Sequence, residues 1–278
     1  EPHLGDGVTG GMIVPGEHII DPWTTPIAFA TEAVLNGCQL LTNFAVVGCE
    51  VAADCTTLRA TDGREVHARY VVNAAGLHGD TLHRLFGYAG FTIRPRRGEL
   101  IVFDKLARPL LQRTILPVPT AHTKGVLVAP TVLGNIMLGP TADEIEDRAA
   151  TGSTRAGIDS LLAKGRRILP ALLNEEVTAV YAGLRAATEH SDYQLSAHAD
   201  SRYVCLGGIR STGLTSSMAV AEETVVLLSS IGLNAPLRDS DQLRSPRLTP
   251  LGEVDERPYQ RGGTVVCHCE RVTAAEIE

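Results

Sequence analysis

Two apolar stretches more than a hundred residues apart constrain the fold most. "YVVNAAGLHGD" (Tyr70 to Asp80) opens as a continuous apolar run and ends in small residues. A half-buried strand would alternate, so a run without alternation reads as a parallel strand covered on both faces. Its small C-terminal residues let something bulky approach the backbone. "YVCLGGIRSTGLTSSMAVAEETVVLLSSIG" (Tyr203 to Gly232) repeats the theme: a strand, a cluster of glycines, then a helix of at least four turns.

Together these stretches predict a site. Gly76 closes the first strand without a side chain, so a flat ring can pass close to the backbone. Gly213, Leu214 and Thr215 open a helix whose unsatisfied amides and positive dipole end face the same space. A flavin suits the arrangement, because its reduced ring carries negative charge near N1 and O2. Two ordinary strand ends with tight glycine turns would produce the same pattern, and the residues alone leave both readings open.

The rest of the chain reads in layers. "TTPIAFATEAVLNG" predicts a helix with a Thr cap and Gly37 as terminator. "QLLTNFAVVGCEVA" and "TTLRATDGREVHARYVVNAAG" read as strands around a turn at Asp62-Gly63, and "DTLHRLFGYAG" as a short helix. From Phe91 the texture changes to long strands with prolines, "FTIRPRRGELIVFD", "RTILPVPT" and "KGVLVAPTVLGNIMLGPTA". Such meanders belong to an antiparallel layer. "STRAGIDSLLAKGRRILPAL" supplies a helix across it, and "EEVTAVYAGLRAAT" returns as a strand.

The first residues hold a decoy. Gly5, Gly7 and Gly10 match the Gly-x-Gly-x-x-Gly spacing of a dinucleotide loop. That loop needs a buried strand before it and a helix after it. Four residues precede Gly5, and Pro15-Gly16 and Pro22 break any helix that follows, so the match reads as a glycine-rich surface turn.

Composition excludes some classes. A formal charge of −7 with no basic run argues against a nucleic-acid surface. No apolar run is long enough to cross a bilayer. Six scattered cysteines read as those of a reducing cytosol, so the localisation expected is cytoplasmic.

The segments "VVNAAGLHGD", "RPRRGELIVFD", "GVLVAPTVLGNIMLGPTA", "YAGLRAATEHSDY" and "GGIRSTGLTSSMAVAE" resemble FAD-dependent oxidoreductases of the D-amino-acid oxidase and glycine oxidase superfamily. Within it the chain is most similar to bacterial FAD-dependent glycerol-3-phosphate dehydrogenases with a C-terminal [2Fe-2S]-binding domain, and to L-2-hydroxyglutarate dehydrogenases. The resemblance implies an α/β (α+β) fold, with a partial FAD-binding Rossmann-like lobe beside an antiparallel-sheet substrate lobe with helices. The expected divisions are 1–90, partial FAD-binding lobe; 91–190, substrate lobe; 191–233, return to the FAD-binding lobe; 234–263, linker; and 264–278, the start of a [2Fe-2S]-binding domain. It also implies that a βαβ unit of about a hundred residues with the true glycine loop precedes residue 1. A fragment of that kind should hold FAD weakly or not at all.

The function so implied is oxidation of sn-glycerol 3-phosphate to dihydroxyacetone phosphate by hydride transfer to FAD. An L-2-hydroxy acid or amino acid is the alternative substrate, and a non-catalytic scaffold module the alternative class. The implied partners are a small anionic substrate and an electron acceptor, protein or quinone, with room for peripheral membrane association of the full complex. By the same resemblance Val46, Ala75, Gly76, Gly208, Gly213, Leu214 and Thr215 contact the cofactor, and Arg185 binds the substrate's anionic end. For Arg185 a surface ion pair is the plainer reading. Arg210, at the turn before the long helix, reaches substrate or flavin, or braces the turn. Arg97 reads as a solvated loop arginine. His18, His122, His190 and His198 are candidates for the base, which stays unassigned, because relatives place a histidine where this chain has Leu127 or Leu133. Cys267 and Cys269, in "VVCHCERV", resemble the first two ligands of a [2Fe-2S] cluster, through which electrons would leave the flavin; by themselves they are two free thiols.

Overall fold

The protein is described from a computed structural model covering residues 1–118, 125–236, 238–248, 259 and 261–278. The first helix, α1 (Thr24–Leu35), is capped by Asp21 rather than by a threonine. The Asp21 carboxylate accepts the amides of Trp23 and Thr24 at 3.0 and 2.8 Å, and an ionised acceptor outcompetes a hydroxyl there. β1 (Val46–Val51), β2 (Thr56–Ala60) and β3 (Glu65–Ala68) form an antiparallel meander with its turn at Asp62-Gly63. β1 is shorter than the sequence predicts. Asn43 takes a left-handed φ of 53°, and Arg64 binds the carbonyls of Thr42 and Asn43, which ends the extended run.

β4 (Val71–Asn73) is followed by α2 (Gly79–Leu85), and the ten-residue β5 (Arg94–Phe103) begins the next layer. Its sheet adds β6 (Leu127–Pro130), β7 (Ile136–Gly139) and β8 (Asp143–Glu144), then, after α3 (Arg155–Ile168), the eleven-residue β9 (Val177–Ala187). β9 lies antiparallel to β5 along its whole length. Among the described residues of the strand expected at "RTILPVPT", pairing is reduced to one bridge, Ile115 to Val128, and Pro117 lacks a ladder donor.

Alternation along β5 sorts its side chains. Glu99, Ile101 and Phe103 turn toward α3, where Ile101, Phe103, Val128, Ile136 and Leu138 pack with Leu161, Leu169 and Leu172. Buried Glu99 fastens the start of α3 by accepting the amide and hydroxyl of Thr154 at 2.5 and 2.8 Å. Arg97 lies on this same face, 3.9 Å from Glu99. It is a mid-strand residue with a largely covered side chain, not a solvated loop arginine. Arg96, Gly98 and Leu100 lie on the opposite face, away from α3.

The chain then returns to β4. β10 (Gln194–His198) and β11 (Tyr203–Gly207) complete a three-stranded sheet in which β11 runs parallel to β4. Val71, Phe86, Phe91, Ile93, Tyr203 and Cys205 form its core, with Asn73 donating to the Tyr203 hydroxyl and the Gly79 carbonyl, each at 2.8 Å. α4 (Gly213–Ser230) follows. No helix among the described residues is long and apolar enough to cross a membrane.

The C-terminal hairpin of β12 (Val265–Cys267) and β13 (Val272–Thr273) leads into α5 (Ala274–Ile277), which opens with the capping box of Thr273 and Glu276. Buried Arg271 anchors it, donating to Asp104 at 2.9 Å and Glu176 at 2.8 Å, while Lys105 meets Glu270 at 2.5 Å. The described part of the expected linker is held as well: Arg244 exchanges hydrogen bonds with Asn36, and Arg261 pairs with Glu175.

Asp80 ties α2 and the β4–β11 sheet it packs on to the five-stranded sheet. Its buried carboxylate takes both Nη atoms of Arg148 at 2.7 and 2.8 Å, the Ile93 amide at 3.1 Å and Arg84 at 3.2 Å. Burial pushes its pKa up, but the Arg148 bond, the Ile93 amide and the two cationic charges outweigh that and bring it down to about 2. A depressed carboxyl stabilises the fold above its unfolded pKa and stops doing so as pH falls through the folded one. Asp80 is therefore expected to contribute about 2 kcal/mol at neutral pH, lost between about pH 4 and 2. Asp80→Asn, which strands Arg148, should lower urea stability at pH 7 by about 3–5 kcal/mol and flatten the acid limb; equal stability at both pH values would refute the clamp.

Candidate functional site

A cavity of about 560 Å³ opens where β4 and β11 end and α4 begins. The backbone makes it. Gly76 follows β4 with φ 53°, and Gly208 follows β11 with φ 67°, where a Cβ would stand 3.0 Å from the Thr188 side chain. Arg210 is also left-handed, at φ 61°, held by its amide on the Ala186 carbonyl at 3.3 Å and by its guanidinium on the His190 carbonyl. That sharp turn delivers the chain to Gly213 with no side-chain cap on the first turn of α4. α4 presents Gly213, Ser217, Val220, Ala221 and Thr224 to the cavity, a stripe of small residues at helical spacing.

These residues fit one edge of a flavin. Gly76, Gly208 and Gly213 leave space for a flat ring, and the positive end of α4 lies where reduced-ring charge would develop. Of the residues expected to contact cofactor, Gly76, Gly208 and Gly213 line the cavity, as does Arg210. Ala75, Leu214 and Thr215 are chain neighbours of the lining without belonging to it. Val46 sits at the start of β1, paired with Ala60 in the meander, outside the lining. The α4 stripe escaped the sequence reading, although its i, i+4, i+8 run of small residues was there to see. So did Ala186.

Arg185 does not line the cavity: it lies on the open face of β9, and alternation turns its side chain away from that of its neighbour Ala186, which does. It forms no surface ion pair: among the described residues no carboxylate is within salt-bridge distance. Both Nη atoms donate to the Thr141 carbonyl at 3.2 Å, and the guanidinium lies across Gly98, where a Cβ would come within 2.3 Å of Nη2. Burial, then the charge of Arg96, lowers its pKa from the ordinary arginine value. The fork is thus oriented, partly desolvated and without a counter-charge, which suits an anion.

None of the described candidate histidines lines the cavity. His18 is exposed, His190 meets the Gly90 carbonyl at 2.7 Å, and His198 stacks on Tyr88 at 3.7 Å between ring centroids. His122 lies outside the described residues. Leu127 opens β6, and Leu133 sits in the turn after it.

Cys267 and Cys269 stand 3.0 Å apart at sulfur, with Cys269 pulling the Cys267 pKa down and being pushed up in return. Among the described residues no group of three or more metal-ligating side chains exists. Two thiols do not fit a [2Fe-2S] cluster, which takes four ligands.

The family model described as FAD dependent oxidoreductase (DAO) matches residues 1–227. A glycerol 3-phosphate dehydrogenase of Caloramator mitchellensis is 31% identical over all of the chain and 59% of its own length. The mitochondrial L-2-hydroxyglutarate dehydrogenase of Bos taurus is 34% identical over 46% of the chain and 31% of its own. Among solved structures, the dithionite-reduced L-α-glycerophosphate oxidase of Mycoplasma pneumoniae, with FAD bound, superimposes with a TM-score of 0.65 at 30% identity, covering 72% of this chain and 54% of that one. The chain thus spans about three fifths of the length of the glycerol 3-phosphate dehydrogenase it matches.

Gly208→Ala would force a side chain into the left-handed region and its Cβ onto Thr188. Urea denaturation should report a loss of about 1–2 kcal/mol, and an unchanged midpoint would show that the turn does not need glycine.

Proposed function

Because the chain belongs to the DAO family of FAD-dependent oxidoreductases, we propose that it forms the substrate-facing part of a flavin dehydrogenase acting on sn-glycerol 3-phosphate. The observation that carries this reading is Arg185: an oriented, partly desolvated guanidinium with no carboxylate beside it among the described residues. Such a fork holds a phosphate or carboxylate bidentately and fixes the distance of the attached carbon from the cavity.

Gly76, Gly208 and Gly213 would hold the flavin edge, with Ala75, Leu214 and Thr215 shaping the turns beside it and Val46 reaching the nucleotide end. Bound there, FAD supplies the hydride acceptor that turns the alcohol into the ketone, dihydroxyacetone phosphate. The chain's own share is positional. α4 directs amide dipoles at the ring, the small-residue wall excludes water, and Arg185 anchors the phosphate, with Arg210 close enough to the cavity to help. No histidine of the described lining is available to take the hydroxyl proton, so that role has no residue. A protein or quinone acceptor, peripheral membrane association of the full complex and a cytosolic setting complete the reading; the six free cysteines accord with the last.

An L-2-hydroxy acid is the second reading, favoured by the partial match to the bovine enzyme. Anaerobic bleaching of the flavin band in flavin-loaded protein decides between them: sn-glycerol 3-phosphate is expected to bleach it, and bleaching by L-2-hydroxyglutarate alone would replace the first reading with the second. Arg185→Ala should raise KM for the bleaching substrate by roughly 10–150-fold, the loss of a charge-assisted bond of about 1.5–3 kcal/mol; an unchanged KM would remove Arg185 from the site.

A further inference from the structure

Arg96 and Arg185 are directly opposed across the antiparallel β5–β9 pair. Alternation puts both on the open face, since Glu99 and Ile101 turn to α3. Opposed residues in such a pair have Cα atoms about 4.5–5.5 Å apart, so two guanidinium groups begin within reach of one another. Like charges placed this way repel, and an anion between them removes the cost. On the far side of Arg96 its register partner on β8, Glu144, takes Nη2 at 2.8 Å. Glu144 is 62% exposed, and it leaves Nε and Nη1 of Arg96 with no hydrogen-bond partner among the described residues.

We infer that Arg96 is a second anion-binding residue, closing with Arg185 around a phosphate monoester and selecting it over a monocarboxylate. The inference takes its substrate from the reading above. Its chemistry is a matter of charge and shape. A carboxylate is planar and carries one negative charge, which a single bidentate fork matches. A phosphate monoester has three terminal oxygens and up to two negative charges, enough to engage a second guanidinium. Arg96 is therefore the specificity determinant, whereas Arg185 serves either anion.

The experiment titrates inorganic phosphate, and separately acetate, into the full chain by calorimetry. Arg96→Gln is expected to weaken phosphate about tenfold or more and to leave acetate unchanged. Glu144→Gln, which frees Arg96 from its ion pair with Glu144, is expected to leave phosphate affinity equal or tighter. Unchanged phosphate affinity in Arg96→Gln would overturn the assignment. So would Glu144→Gln weakening phosphate as much as Arg96→Gln does, since Arg96 would then act only as a strut to β8. Turnover is a separate arm. Flavin bleaching by sn-glycerol 3-phosphate, with no effect of Arg96→Gln on phosphate, ends this inference alone. Phosphate binding through Arg96 in a protein that no phosphate ester bleaches ends the glycerol-phosphate reading instead.

Discussion

A single buried carboxylate joins the β4–β11 sheet to the five-stranded sheet. Asp80 belongs to α2, beside the strand that ends at the cavity, whereas Ile93 leads into β5 and Arg148 follows β8. A carboxylate that has given up water must have its acceptor sites filled, and here they are filled from three directions. The cavity draws on both sheets, with Ala74, Gly76 and Gly208 at the ends of β4 and β11 and Ala186 on β9, so its shape depends on this joint. Tilting one sheet against the other would break two charge-assisted bonds at once. The apolar cores on either side define each layer, but apolar contact is non-directional and would tolerate sliding.

The site itself is chiefly backbone. Three successive departures from ordinary geometry, at Gly76, Gly208 and Arg210, bring two strand ends and a helix start around one space. Side chains then refine it by being small. This explains why a cavity able to take a flat ring contains almost no ionisable group.

Much of this was legible in the sequence, for stated physical reasons. "YVVNAAG" reads as a parallel strand covered on both faces; it does pair in parallel with "YVCLG", but only one face is covered, since Val71 and Asn73 are buried while Val72 is 39% exposed. The long helix after Gly213 and the β5–β9 layer follow from periodicity. The decoy at Gly5 is not a loop around phosphate: its amide binds the Ile168 carbonyl at the end of α3. What periodicity cannot carry is long-range pairing. Asp80 and Arg148 are 68 residues apart, with nothing local to mark either. Arg97 was misread because Pro95 looks like a turn signal, yet Pro95 sits within the β5 ladder opposite Ala186. Arg185 was chosen by resemblance, and the Arg96 beside it became visible only through strand register.

The docked C-terminal hairpin has a metric consequence. Arg271 grips Asp104, just past the end of β5, and Glu176, just before the start of β9. The same two strands carry Arg96 and Arg185 near their opposite ends. At about 3.4 Å per residue, the eight steps from Arg96 to Asp104 make a ruler of about 27 Å. Charge is screened over about 8 Å in physiological salt, so a thiolate at one end cannot be felt electrically at the other. The two ends are mechanically one body and electrostatically strangers, and only displacement of the ruler itself could carry news between them.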